Sequence, residues 1–353
     1  MRVRFGFVAM APALADASPA KTVTATAAAR MDPGARLYRL REVARANLAN
    51  TLRILRHADA HGIRVYRFSS RLIPLATHPL ADGWDWADEM AEAFAAIGAF
   101  VRAHDMRVSF HPDHYAPLGS PRPEVQAAAE RDYAYHSRMV DAMGLCGRVR
   151  RVMHVGGGYG DAEAAAERCA ATMSRLQGSH ETLALENDDR VHDGGAVCAL
   201  ARRVGVPFVL DFHHQRVLRG DGGLAELAAQ AAETWQGEVP KFHLSSPAAA
   251  EGYAAHSAPA VTSAAEGGHA ARSASSFTSA AARPRDHADF IAVPDGEVAL
   301  DALRAAGIPA ADVMIEAKGK DAALFRLVAD LGATGRWVPE GEAAVHEAEG
   351  PGG

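Results

Sequence analysis

Short apolar runs alternate along the chain with longer segments of helical period. Eight runs rich in Val, Ile, Leu and Phe read as strands: Val3–Ala9, Val65–Ser70, Arg107–Pro112, Arg151–Gly156, Thr182–Asn187, Phe208–His213, Lys241–Ser245 and Asp312–Ala317. Between them the apolar residues recur at helical spacing. Leu40, Val43, Leu48, Leu52 and Leu55 mark one face of a helix stopped by Gly62. Trp86–His104, Pro123–Gly144, Ala162–Leu176, Gly194–Gly205, Leu224–Trp235, Glu297–Gly307 and Ala322–Gly332 read the same way. Pro123 suits a first helical position, where no backbone N–H is needed. Eight strands alternating with eight helices predict an α/β fold, a single (β/α)8 TIM barrel, with the active site at the C-terminal ends of the strands.

Three segments need separate treatment. From about 247 to 283 the chain is rich in Ala, Ser and Gly and poor in large apolar residues, which predicts a flexible low-complexity insertion after strand seven. Residues 336–353 are acidic and end in glycine, which predicts a disordered tail beyond a barrel domain of residues 1–335. Arg2 and Arg4 before an apolar run loosely imitate a signal peptide, but Gly6 and Pro12 interrupt it, and a first buried strand is the better reading.

Composition narrows the function. With 48% hydrophobic and 23% charged residues the chain is foldable throughout most of its length, which excludes global disorder. The net charge of −6 excludes a generally basic nucleic-acid-coating protein, though not a local basic groove. Cys146, Cys169 and Cys198 lack metal-ligand spacing and are too few for a disulfide framework, which fits a reducing, cytoplasmic setting. No apolar run is long enough to span a bilayer. Lysine occurs only at 21, 241, 318 and 320, the other basic residues being arginine; a position that stays lysine asks for a compact ammonium or a modifiable amine.

The predicted strand ends carry the chemistry. From strand three onward they bear His111, His154, Glu186, Asp211 with His213 and His214, His243, and Glu316, while His78 and His287 lie in loops at the same end. An isolated histidine is usually a hydrogen-bonded core or surface residue. Six successive strands ending in histidine or carboxylate are a different matter, because imidazoles and carboxylates buried together need cations. Nine candidate ligands (His78, His111, His154, Glu186, Asp211, His214, His243, His287, Glu316) exceed what one metal needs, so two or three divalent ions such as Mn, Zn or Fe are implied. Several metals on one scaffold suit phosphoester hydrolysis, where a metal-bound hydroxide attacks and other metals stabilise the leaving oxygen. The cations would also let an anionic substrate approach an acidic protein.

At these residues the chain resembles the UV damage endonucleases, barrel nucleases related to endonuclease IV. The matching stretches are RFGFVAM (4–10), ASPAKTVT (17–24), NLANTLRIL (47–55), RLIPLATHPL (71–80), VSFHP (108–112), HVGGGYG (154–160), LALEND (183–188), VLDFHH (209–214), PKFHLSS (240–246), HADFI (287–291) and ADVMIEAKGK (311–320). The resemblance implies a site of three divalent metals, Mn2+ favoured over Zn2+ or Mg2+, held by all nine candidates. It implies incision of damaged duplex DNA on the 5′ side of cyclobutane dimers and 6-4 photoproducts, and of abasic sites, leaving 3′-hydroxyl and 5′-phosphate ends. No membrane and no obligate protein partner are expected, and the chain is expected to be a monomer. Glu186, Glu316 and Lys241 fall at the catalytic centre. Lys241 is either carboxylated at its amine, becoming a metal-facing anion, or in contact with the scissile phosphate. His214 fits the pattern better than His213, which is left as a hydrogen-bond partner.

DNA contact is expected from Phe7, His114, Tyr115, Lys318 and Lys320. His114-Tyr115 stands where relatives commonly carry Gln-Tyr as a lesion probe, Phe7 where Tyr is common, and Asp16 near where Asn is often found. Lys318 and Lys320 read equally well as solvated loop charges. Gly156-Gly157-Gly158 lacks phosphate-cradle spacing, and close backbone packing beside His154 explains it better. Tyr159 reads as a loop aromatic packed against that backbone. Arg272, Arg283 and Arg285 could bring the insertion to DNA. Two other readings stay open: a metal-dependent sugar isomerase on a related barrel, and a damaged-DNA binder without activity.

Overall fold

All eight expected strands are present in the computed structural model, which describes residues 1–112, 117–176, 178, 182–218, 220, 222–248 and 285–348. They are β1 (Arg2–Val8), β2 (Val65–Arg67), β3 (Arg107–Phe110), β4 (Arg150–His154), β5 (Leu183–Glu186), β6 (Phe208–Asp211), β7 (Lys241–Leu244) and β8 (Ala310–Ile315). Neighbours in sequence pair in parallel, and β1 pairs with both β8 and β2, which closes the barrel. Helices cover its outside, the longest of them Pro33–Ala60. The helix expected over Trp86–His104 breaks at Met90 into Trp86–Glu89 and Ala91–Ala103. A short helix, Phe212–Val217, was not expected. Asp211 starts it by accepting from His214 N at 2.7 Å, which ends β6 two residues early.

Register and strand alternation decide which side chains enter the barrel. The pairs Arg4↔Asp312, Gly6↔Val65, Val65↔Arg107, Ser109↔Arg150, His154↔Glu186, Glu186↔Val209, Asp211↔His243 and Lys241↔Asp312 put these residues on one face, the interior. Phe7 has the opposite parity. It pairs with Tyr66 and Ile315, is fully buried, and meets the Tyr66 ring edge-on at 5.3 Å. The expectation that Phe7 touches DNA is therefore corrected: it packs behind the barrel wall. Val152, Ala184 and Val209 share the interior face and form a small core of their own with Trp235, separate from the large core between barrel and helices.

The expected disordered tail is also corrected. Trp337–Glu340 (β9) and Ala344–Glu347 (β10) form an antiparallel hairpin, and β10 pairs with Arg2–Arg4 of β1. The reason is a shortfall of partners. β2 covers only Gly6–Val8 of β1, so the edge at Arg2–Arg4 needs backbone partners, and β10 supplies them. Trp337 and Val345 are buried in the process. The predicted insertion at 247–283 lies almost wholly outside the described residues, as do His114 and Tyr115. Its stem is described: Pro247 bridges His287, Ala248 N donates to Asp286 O at 2.6 Å, and Ala288 N donates to Ser246 O at 2.8 Å.

Candidate metal centre

The interior residues at the strand C-termini meet around Glu186, which is buried at the end of β5. Its Oε2 lies 2.9 Å from His111 Nε2 and 3.8 Å from His154 Nε2. Its Oε1 lies 2.9 Å from His243 Nδ1 and 3.6 Å from His214 Nδ1. His243 Nδ1 is also 3.1 Å from Glu316 Oε1. Two sets have donor atoms close enough to share an ion: His111, His154 and Glu186; and Glu186, Asp211, His243 and Glu316.

Four histidines are oriented alike. Nδ1 donates to a backbone carbonyl in His111 (Pro112 O, 3.1 Å), His154 (Glu186 O, 3.3 Å), His214 (Asn187 O, 2.9 Å) and His287 (Glu316 O, 2.7 Å). In a neutral ring this leaves Nε2 with its lone pair, the arrangement that metal-ligating histidines use. His78 does the reverse. Its Nδ1 accepts from Leu80 N at 3.1 Å, capping the turn Pro79–Ala81, and it belongs to neither set. His214 and His287 also belong to neither set, so it is the turn cap alone that sets His78 apart from them.

Electrostatics show that the donor set fits a divalent cation. Among the described residues Glu186 Oε1 and Asp211 Oδ2 are buried and accept no hydrogen bond, and buried Glu316 Oε1 has the Arg67 guanidinium as its ion-pair partner. Burial and the nearby Arg67 guanidinium push His111 down to about 4. At neutral pH the ring is uncharged and its one proton serves either Pro112 O through Nδ1 or Glu186 Oε2 through Nε2, and a cation at Nε2 would let Nδ1 keep the carbonyl bond. Burial alone would lower His214, but Asp211, Glu186 and Glu316 raise it to about 9. Burial alone would raise Glu316, yet Arg67, His243, His111 and His287 hold it well below the usual carboxylate range. Imidazole nitrogens and carboxylate oxygens are ligands for borderline divalent metals.

A family model described as UV-endonuclease UvdE matches residues 3–345. The chain belongs to that family. It is 38% identical to a UV DNA damage endonuclease of Bacillus velezensis, over 94% of this chain and 95% of that one, and 36% identical to one of Halalkalibacterium halodurans, over 94% of each. The crystal structure of SacUVDE has the same fold, with a TM-score of 0.75 at 23% identity over 94% of this chain and 99% of that one. UvdE membership makes the chain an endonuclease, hence a hydrolase with DNA as substrate, and displaces the sugar-isomerase reading. Among the described residues no helix is long and apolar enough to cross a membrane.

Two residues of this UvdE centre escaped sequence reasoning. Arg67, buried at the end of β2, places Nη1 2.6 Å from Glu316 Oε1 and Nη2 2.7 Å from His243 Nε2. An arginine inside an apolar run such as VYRF was the available signal, since a buried guanidinium must be paired. Asn187 brackets Asp211: its Nδ2 donates to Asp211 O at 3.1 Å and its Oδ1 accepts from Asp211 N at 2.8 Å.

The remaining expected residues are spread over different depths. Lys241 starts β7, buried one layer below His243 among Arg107, Asp312, Arg67 and Arg4; burial first, then Arg107, holds its amine well below the usual value. Lys320 is half-buried near Glu316 and Arg67, and burial lowers it. Lys318 is exposed. His213 is buried, with its ring edge-on to His287 at 5.5 Å. Asp16 adopts a left-handed φ of 54°, a backbone state that Asn and Asp tolerate best, so conformation accounts for the residue type there. Gly156, at φ 111°, would drive a Cβ to 2.5 Å from Pro117 Cβ, so close packing accounts for glycine at that position, whereas a Cβ at Gly157 would meet only ordinary contact.

Proposed function

We propose that the chain nicks duplex DNA on the 5′ side of UV photoproducts, namely cyclobutane dimers and 6-4 photoproducts, and also at abasic sites, leaving 3′-hydroxyl and 5′-phosphate ends. It acts as a monomer with up to three divalent metals, Mn2+ first among them. The observation that carries the reading is the pair of buried carboxylate oxygens, Glu186 Oε1 and Asp211 Oδ2, that accept no hydrogen bond among the described residues and lie with histidines whose Nδ1 atoms are already tied to backbone carbonyls. His111, His154, Glu186, Asp211, His214, His243, His287 and Glu316 would hold the metals. Bound there, divalent ions supply a hydroxide nucleophile at neutral pH and charge stabilisation for the departing oxygen. Glu186 joins the two ligand sets. Asn187 keeps Asp211 and His214 in place, and Arg67 orients Glu316 and His243. Lys241, whose amine burial and Arg107 hold well below the usual value, is able in its neutral form to take up CO2 and release a proton, adding a carbamate anion beneath the metals. His114 and Tyr115 enter the duplex where a lesion weakens stacking, and the outer lysines Lys318 and Lys320 hold phosphates.

The test is nicking. The Mn2+-loaded protein is given a labelled duplex with one cyclobutane dimer, beside an undamaged duplex and the Glu316→Gln variant. A cut 5′ of the dimer, absent in both controls, is expected. Tight, salt-sensitive binding of the damaged duplex with no cut under any divalent metal would replace this reading with that of an inactive damage binder.

A further inference from the structure

The loop after β5 is fixed by one carboxylate. Asp188 Oδ1 accepts from Arg190 N (2.7 Å) and Val191 N (2.6 Å), and Oδ2 accepts from His192 N (3.1 Å). The backbone that carries Arg190 is thereby held. Arg285 comes from a second fixed element, the stem closed by the Pro247–His287 bridge and the Ala248–Asp286 bond. Both guanidinium groups converge on Asp189, Arg190 Nε at 3.6 Å from Oδ1 and Arg285 Nε at 3.3 Å from Oδ2.

These three residues line the same cleft, of about 690 Å3, as His154, His214 and His287. The carboxylate between the arginines is mostly covered, at 19% exposed, while the arginine side chains are 71% and 47% exposed. Asp188 brings a second carboxylate to the same lip, so the two arginines balance two carboxylates; with the Asp188 oxygens taken by backbone N–H groups and Asp189 mostly covered, the exposed charged groups here are the guanidiniums. Each arginine approaches Asp189 through Nε, so its terminal nitrogens lie farther from the carboxylate. Such forks match phosphate oxygens in a two-point geometry.

We propose that Arg190 and Arg285, spaced by Asp189, form a clamp for backbone phosphate at the lip of the metal cleft, and that the clamp holds the strand in register with the cutting centre. The proposal rests on the nuclease reading. A phosphate contact carries no sequence or lesion information, so the clamp serves damaged and undamaged duplex alike.

The experiment compares steady-state nicking of the dimer-containing duplex across a salt series, using Mn2+-loaded wild type, the Arg190→Gln/Arg285→Gln double variant, and Arg304→Gln at the far end of the barrel. In the double variant KM is expected to rise roughly tenfold with kcat within about twofold, and the plot of log kcat/KM against log salt to flatten by about two units, one for each lost phosphate contact. Arg304→Gln is expected to match wild type. Unchanged KM and slope in a double variant that still nicks would overturn the clamp and leave the nuclease reading standing. Absence of nicking in the wild type would remove both.

Discussion

The two ends of the barrel interior treat buried charge in opposite ways. At the foot, Asp312 is fully buried, but Arg4 grips it with bonds of 2.7 and 3.0 Å and Arg107 adds another of 2.7 Å. Arg107 also lies over the Trp235 ring at 4.9 Å, and Arg150 pairs with Glu238 at 2.6 Å. Asp312, Arg4, Arg107 and Arg150 thus each have a partner built into the chain. At the mouth, three carboxylates face a single paired guanidinium among the described residues, that of Arg67 on Glu316, and Glu186 Oε1 and Asp211 Oδ2 accept no hydrogen bond there. The interior face of the same sheet thus makes structure where partners are supplied by the chain. It makes a cation site where they have to be imported.

Exchanging the substitutions gives the largest contrast. Glu186→Gln removes the carboxylate that joins both ligand sets, and nicking is expected to fall about 1,000-fold or more, the equivalent of several kcal/mol of metal-borne stabilisation. Its urea midpoint is expected to hold or rise, because repulsion at the mouth is relieved. Asp312→Asn should behave in the opposite manner. It strands two guanidinium groups at a cost of about 3 kcal/mol of stability, with Mn2+ affinity by calorimetry unchanged. Lost metal affinity with unchanged stability in Asp312→Asn would break the distinction between the two ends.

Acid sharpens the comparison from outside it. His136 is buried in the wall between helix and barrel, its Nδ1 donating to Asp132 O at 2.8 Å and its Nε2 without a hydrogen-bond partner among the described residues. Burial lowers it to about 4. The folded protein therefore resists protonation that the unfolded chain accepts below its ordinary value near 6.5. The stability contribution is complete above that value and is lost as pH falls towards 4, by about 3 kcal/mol in all. Urea unfolding at several pH values should show this slope, and His136→Phe should flatten it while leaving the metal centre in place. An equal slope in the variant would return the acid sensitivity to the mouth.

The smallest effect concerns support rather than ligation. Asn187→Ala frees Asp211 from its two backbone bonds, and Mn2+ affinity is expected to drop about tenfold with KM for DNA unchanged. A normal affinity would show that the Asp211 cap on Phe212–Val217 suffices without Asn187.

Legibility followed the range of the interactions. The eight strands could be read from local apolar runs, and their boundaries erred mainly at the C-terminal ends, where a chemistry-bearing residue such as His213 looked like strand but belongs to the helix that Asp211, the last residue of β6, caps. The ligands Glu186, Asp211, His243 and Glu316 stood out because polar residues recurred at successive strand ends. Arg67 did not, because the reading sought ligands and not the cation that orients them. The tail was misjudged because its hairpin is stabilised by an edge of β1 more than three hundred residues earlier, which no local pattern reveals.

Read alone, the chain determined the barrel, the acidic and histidine-rich mouth and the family resemblance, because strand period and residue chemistry are local properties. The tertiary structure decided the rest. Strand register put Phe7 behind the wall and Lys241 among the charges below His243. Backbone carbonyls from neighbouring strands set which face each histidine presents, turning four of them towards the centre while His78 caps its own turn. Such choices depend on which groups meet across the barrel, and only closure of the sheet brings them together.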